Sequence, residues 1–176
     1  MGNKETLIMD GETYYLIKGK WVNSHFTAVS KEELYKLNAL RVKNINFDDK
    51  PLEELIELAQ SMKDNDDLIY SKRLFEDLLD KCHDSTTIRS ILPRYTSILR
   101  KLQKPDMAIE VADDYLGRFG KSVSSPALHT SLAGAYCDKG DYTEARLQAN
   151  RAMAMSAGNA SIELQSVYAR IKSMEK

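Results

Sequence analysis

The sequence predicts a mainly α protein: three helical hairpins in succession, closed by a C-terminal capping helix and fronted by a small N-terminal antiparallel β-meander. Three observations predict it. Apolar residues recur at helical spacing from residue 52 onward. Small and apolar residues recur a second time, at a period of 37 residues, across three windows. Residues 6–22 differ from the rest, with β-branched and aromatic runs broken by turn residues.

Composition narrows the class. A chain of 176 residues with 43% apolar content can bury a substantial core, so one domain is expected. The formal net charge of −1 excludes a composition built for bulk polyanion binding, because affinity for nucleic acid comes chiefly from neutralising phosphates with Lys and Arg. Cys82 and Cys137 lie within or at the end of helical patterns, which fits reduced thiols and a cytoplasmic location. Asp10, Glu12 and Lys18 interrupt the N-terminal apolar residues, so neither a signal peptide nor a membrane span is expected. Met1-Gly2-Asn3-Lys4-Glu5-Thr6 fits the loose N-myristoylation pattern. A lone acyl chain anchors only marginally without a basic patch, and Glu5 and Asp10 are acidic, so no membrane partner is expected.

The meander comes first. Leu7-Ile8-Met9, Thr13-Tyr14-Tyr15-Leu16-Ile17 and Trp21-Val22 are separated by Asp10-Gly11 and Lys18-Gly19-Lys20, which is hairpin chemistry. Alternation sets Tyr14 and Leu16 on one face and Tyr15 and Ile17 on the other. So small a sheet needs a surface to lean on. Residues 1–29 are therefore expected to cap the open end of the helical stack, with Trp21 and Phe26 as an apolar plug; the alternative is a recognition element with exposed aromatics. Residues 30–50 hold one helix and a connector. Ser30 and Glu33 make a capping box ahead of Leu34 and Leu37, Asn44 to Lys50 is polar, and Pro51 suits the first turn of the next helix.

The repeating region spans 51–160, with hairpins near 52–84, 89–120 and 126–157. In the third, Leu128, Leu132, Ala135 and Tyr136 share one helical face, and Ala145, Ala149, Ala152 and Met155 share another. Gly140 can end the first helix in the left-handed conformation, and Asp141 can cap the second. Moving back by the period sets Tyr95, Thr96, Leu99, Ala108, Ala112 and Tyr115 in corresponding places, and then Leu58, Ala59, Met62, Ser71, Phe75 and Leu78. The small residue at the helix crossing recurs as Ser71, Ala108 and Ala145. Residues 161–176 close the stack, with Ile162, Leu164, Val167, Tyr168 and Ile171 as an apolar stripe.

The third hairpin resembles a tetratricopeptide repeat (TPR), on Leu132, Ala133, Tyr136, Gly140-Asp141-Tyr142, Ala145 and Ala152. His129 stands where the family favours Trp, and Ala157 where it favours Pro. The resemblance implies a right-handed α-solenoid. The period is about three residues longer than the usual repeat, and the surplus is expected in the links at 82–87 and 117–125, where Gly117 and Gly120 can stop a helix. In the second hairpin Gln103-Lys104-Pro105-Asp106 replaces the glycine turn, and Pro93 either sits in a first turn or kinks the axis.

In the family, the first helices of successive hairpins line a concave groove that grips a partner. Carried over, this gives Ile56, Gln60 and Lys63, then Pro93, Ser97, Arg100 and Lys101, then Thr130, Gly134, Cys137 and Asp138. The partner site is thus expected at Gln60, Lys63, Arg94, Ser97, Arg100, Lys101, Thr130, Cys137 and Asp138, with Arg100 and Lys101 anchoring an acidic or backbone-rich ligand. The family's clamp for a C-terminal carboxylate is not reproduced, since its asparagines are missing and Ile56 replaces a lysine.

Chemistry has little support. Cys82 and His83 are adjacent and would diverge on a helix, and His25, His83 and His129 have no second ligand at i+3 or i+4, so no metal or cofactor is expected. His129 reads as a buried packing residue. Asp48-Asp49, Asp66-Asp67 and Asp113-Asp114 are consecutive acids that suit caps or solvated faces rather than acid–base pairs. Charge is uneven along the chain: residues 51–88 hold ten acids against four bases, and residues 89–125 seven bases against four acids.

The expected function is that of a non-catalytic adaptor or scaffold holding a peptide or helix of another protein. Three alternatives remain. One is homo-oligomerisation through the solenoid ends. Another is a small enzyme or effector with His25, Asp48 and Asp49 converging where the meander meets the first hairpin. The third is nucleic-acid binding by Arg94, Arg100, Lys101 and Lys104 with Tyr95, which the charge balance does not favour.

Overall fold

A computed structural model describes residues 5–44, 50–64 and 67–174. Among them are three strands, β1 (Glu5–Met9), β2 (Glu12–Ile17) and β3 (Lys20–Val22), and eight α-helices. These are α1 (Lys31–Lys43), α2 (Leu52–Asp64), α3 (Leu68–Lys81), α4 (Ser85–Lys101), α5 (Pro105–Phe119), α6 (Pro126–Lys139), α7 (Tyr142–Met155) and α8 (Ile162–Met174). The chain is mainly α, and the helices come as hairpins in a TPR-like arrangement, with the small antiparallel sheet at the N terminus. The chain divides into two compact units, Met1–Leu74 and Phe75–Lys176, with the division inside α3. The myristoylation pattern around Gly2, and Asp48, Asp49 and Asp66, lie outside the described residues.

In the first unit, both hairpin turns place a residue and its glycine in the left-handed region. Asp10 has φ 53° and Gly11 84°, Lys18 has 50° and Gly19 77°, which matches the twist of the flanking strands. The register pairs Leu7 with Tyr14 and Leu16 with Trp21, so Leu7, Met9, Tyr14, Leu16 and Trp21 share a face. That face packs on Leu34, Leu37 and Leu40 of α1. The capping box that starts α1 is formed: Glu33 N–H donates to Ser30 Oγ at 3.2 Å, and Ser30 N–H donates to Glu33 Oε2 at 2.8 Å.

The two rings expected as an apolar plug lie in different surroundings. Trp21 is buried, but Phe26 is 65% exposed. The tight turn held by Asn23 puts Phe26 at φ 59° and swings its ring onto the sheet's outer face, where it stacks on Tyr15 at 5.7 Å. Beneath Trp21 runs a buried polar chain: its Nε1–H donates to Asn38 Oδ1 at 3.0 Å, and Asn38 Nδ2–H donates to Asp67 Oδ2 at 2.6 Å. Burial raises the Asp67 carboxyl above its ordinary value. α2 and α3 cross where Ser71 Oγ donates to the Ala59 carbonyl at 2.6 Å, both residues being fully buried.

In the second unit, Asp84 caps α4 by accepting from Thr87 N–H at 2.8 Å. The helix therefore starts earlier than the spacing suggests, and Pro93 falls in its interior rather than its first turn. Gln103, at φ 58°, supplies the left-handed step that glycine gives elsewhere, and Pro105 opens α5. A left-handed non-glycine residue is strained, so Gln103→Gly is expected to stabilise this unit by about 1 kcal/mol in urea denaturation. Gly120, not Gly117, ends α5.

The α6–α7 hairpin follows its sequence closely. Gly140 is left-handed at φ 82°, and Asp141 Oδ1 accepts from Glu144 N–H at 3.1 Å. Ala133, Ala145, Ala149 and Ala152 are fully buried, and Leu164, Val167 and Ile171 of α8 close over them.

His129 is buried as the spacing suggests. Gln148 Oε1 lies 2.8 Å from its Nδ1 and Ser124 Oγ 2.8 Å from its Nε2. Neutral imidazole satisfies both with Nδ1–H donating to Gln148 and Ser124 O–H donating to Nε2. Burial holds its pKa below the ordinary value. The stability gained by keeping it neutral is then fully present above pH about 6.5 and is lost as pH falls through the depressed folded value. A falling melting temperature between pH 7 and 5, flattened in His129→Gln, is the expected result.

Candidate functional site

Ser97, Arg100 and Lys101 lie in the last turns of α4, Asp138 at the end of α6 and Glu163 in the first turn of α8. Together they line a recess of about 280 Å³. The spacing of Ser97 and Arg100 puts both on one face of α4. Packing of α6 against α4 and α8 brings the other two helix ends to them.

The guanidinium of Arg100 is the fixed point. Its Nε–H donates to Asp138 Oδ2 at 3.0 Å and its Nη1–H to Glu163 Oε1 at 2.9 Å. Arg170 Nη2 reaches the other Asp138 oxygen at 2.8 Å, so Asp138 bridges two arginines. Gly134 provides the bed: a Cβ there would fall 2.1 Å from Arg100 Cζ and 2.2 and 2.4 Å from its two Nη atoms. The planar group thus rests face-on against the α6 backbone, where any larger side chain would displace it. Only 15% of the Arg100 side chain is exposed. Two cations, Arg100 and Lys101, and two carboxylates, Asp138 and Glu163, line the recess, so its charges balance; Arg170, which pairs with Asp138, is not part of the lining.

Not every expected site residue reaches this recess. Thr130 and Cys137 are buried in α6, and Cys137 packs into the alanine cluster, so neither can line an open surface. The reason is that α6 has neighbours on several sides, and positions that the repeat pattern puts on the groove face are covered. Burial raises the Cys137 thiol pKa, which keeps it protonated. Arg94 is half-buried on α4 away from the recess. Gln60 and Lys63 belong to α2 in the other unit, where Gln60 Nε2–H donates to Asp64 at 2.8 Å. Tyr95 cannot serve as a stacking platform for a base: it is buried, and its hydroxyl donates to Glu76 at 2.6 Å.

Glu163 and Arg170 went unrecognised. Their seven-residue spacing puts them on one edge of α8, which was the available signal, but the apolar stripe of that helix assigns it a capping role alone. Gly134 is among the groove positions that the resemblance implies, and a glycine inside an otherwise continuous helix is a second signal there. Among the described residues, no helix is long and apolar enough to cross a membrane.

No protein-family model and no curated protein matches the sequence. Among solved structures, the chain is similar to the Hsp90 co-chaperone Cns1 from Saccharomyces cerevisiae, with a TM-score of 0.59 at 15% identity. The match covers 70% of this chain and 39% of that one, so it spans about two-fifths of the co-chaperone's length. At that identity the likeness is one of fold, and the fold it supports is a TPR-like helical one.

Proposed function

We propose that the chain is a non-catalytic adaptor that holds an acidic, extended segment of another protein against α4 and α6, with Arg100 and Lys101 as charged anchors. One observation carries the reading: a guanidinium immobilised on Gly134, with unused N–H donors, in a recess that the Lys101 ammonium also lines. A cation already fixed loses little side-chain freedom on binding, so more of each contact appears as affinity. The helical likeness to a co-chaperone agrees with a protein partner. No bond-making step is required of the chain, and the cytoplasm is its expected compartment.

The test is fluorescence anisotropy with a fluorescein-labelled hexaglutamate peptide, amidated at its C terminus. Wild type is expected to bind, with affinity falling as salt rises, and Arg100→Glu/Lys101→Glu to lose at least tenfold, or about 1.4 kcal/mol. Equal binding by both proteins would overturn the reading.

A further inference from the structure

We propose that the recess is a seat for one side-chain carboxylate of the partner segment, and that the chain's own Glu163 fills this seat until the partner displaces it. The inference rests on the adaptor reading above and specifies how its site is controlled.

The two acids on Arg100 are not equivalent. Asp138 is 28% exposed, comes from the helix on which the guanidinium rests, and is held at both oxygens, by Arg100 and by Arg170. It orients the cation. Glu163 is 52% exposed and reaches Arg100 through one oxygen, at 2.9 Å, with no other partner among the described residues. It can leave by a side-chain rotation alone, because Leu164, Val167 and Ile171 hold α8 in the core whether or not Glu163 is paired.

The recess also has more donors than its own acids use. Ser97 and Lys101 line it, and neither side chain makes a hydrogen bond or ion pair among the described residues. A carboxylate arriving from solvent would find the Arg100 edge that Glu163 now covers, with a hydroxyl and an ammonium beside it. Glu163 satisfies only the first of these. An incoming acid that engages all three therefore outcompetes it, whereas a weakly acidic segment does not. Glu163 thus sets a threshold of acidity for binding.

The experiment uses the full chain and the amidated hexaglutamate peptide, which offers side-chain carboxylates and no terminal one. Glu163→Gln is expected to tighten the Kd at least fivefold over wild type. Glu110→Gln, which removes an exposed acid on α5 outside the recess, controls for net charge and should change the Kd less than twofold. In Arg100→Gln/Glu163→Gln the gain should vanish. Thermal melts of each variant verify that all are folded. Equal Kd values for wild type and Glu163→Gln would overturn the contested seat and leave the adaptor reading standing. Weaker binding by Glu163→Gln would also overturn it, by showing that Glu163 positions Arg100 for the ligand. No binding by either protein would overturn the seat and the adaptor reading together.

Discussion

Asn38→Leu is expected to destabilise the N-terminal unit by about 3–5 kcal/mol. Asn38 is 4% exposed and serves two buried groups at once, accepting from the Trp21 indole and donating to the Asp67 carboxylate. Leucine has a similar volume, so packing is nearly conserved and the cost is electrostatic. The indole N–H loses its acceptor, and Asp67, itself 1% exposed, loses the donor bonded to Oδ2, while its Oδ1 already has no partner among the described residues. Trp21 is the single tryptophan, so its fluorescence in a urea titration reports this unit selectively. An unchanged midpoint would mean that the polar chain contributes nothing. Asp67→Asn makes the complementary change, because it keeps an acceptor for Asn38 and removes the charge. Burial raises the Asp67 pKa, so wild-type stability falls as pH rises from below the ordinary carboxyl value through the raised one. Asp67→Asn should lack that fall.

Ala145→Leu is expected to cost the C-terminal unit about 1–3 kcal/mol by overpacking. Ala145 is fully buried where α7 meets α6, in one cluster with Ala133, Ala149 and Ala152. Small side chains let the two backbones approach, and three extra carbons at the crossing must push α6 and α7 apart or force strained rotamers. α8 rests on the same cluster and would feel the shift. Far-UV circular dichroism during thermal unfolding measures the loss. A melting temperature equal to that of wild type would show that the crossing lies elsewhere.

The elements most legible in the sequence were those fixed by near neighbours. The Ser30–Glu33 box, the left-handed Gly140 followed by the Asp141 cap, and the Asp10-Gly11 and Lys18-Gly19 turns each involve residues within four positions of one another. The period that paired Ser71, Ala108 and Ala145 was equally readable, because a helix crossing admits only small side chains, and all three are fully buried. The start of α4 was misjudged because Asp84 reads as link composition until its carboxylate is seen to accept from Thr87. Phe26 was misplaced for a similar reason: hydrophobicity says that a ring should be buried, but the Asn23 turn decides which side of the sheet it reaches.

The sequence by itself determined the mainly helical class, the hairpin pairing, the N-terminal sheet and the location of basic residues near the end of α4. The tertiary structure alone decided that Arg100 lies on Gly134, pairs with Asp138 and Glu163, and leaves Thr130 and Cys137 covered. The physical reason is range. Helices, caps and turns are set by steric and hydrogen-bonding preferences over a few residues, whereas Arg100 meets partners 38 and 63 positions away, and only the packing of α4, α6 and α8 brings those charges within reach.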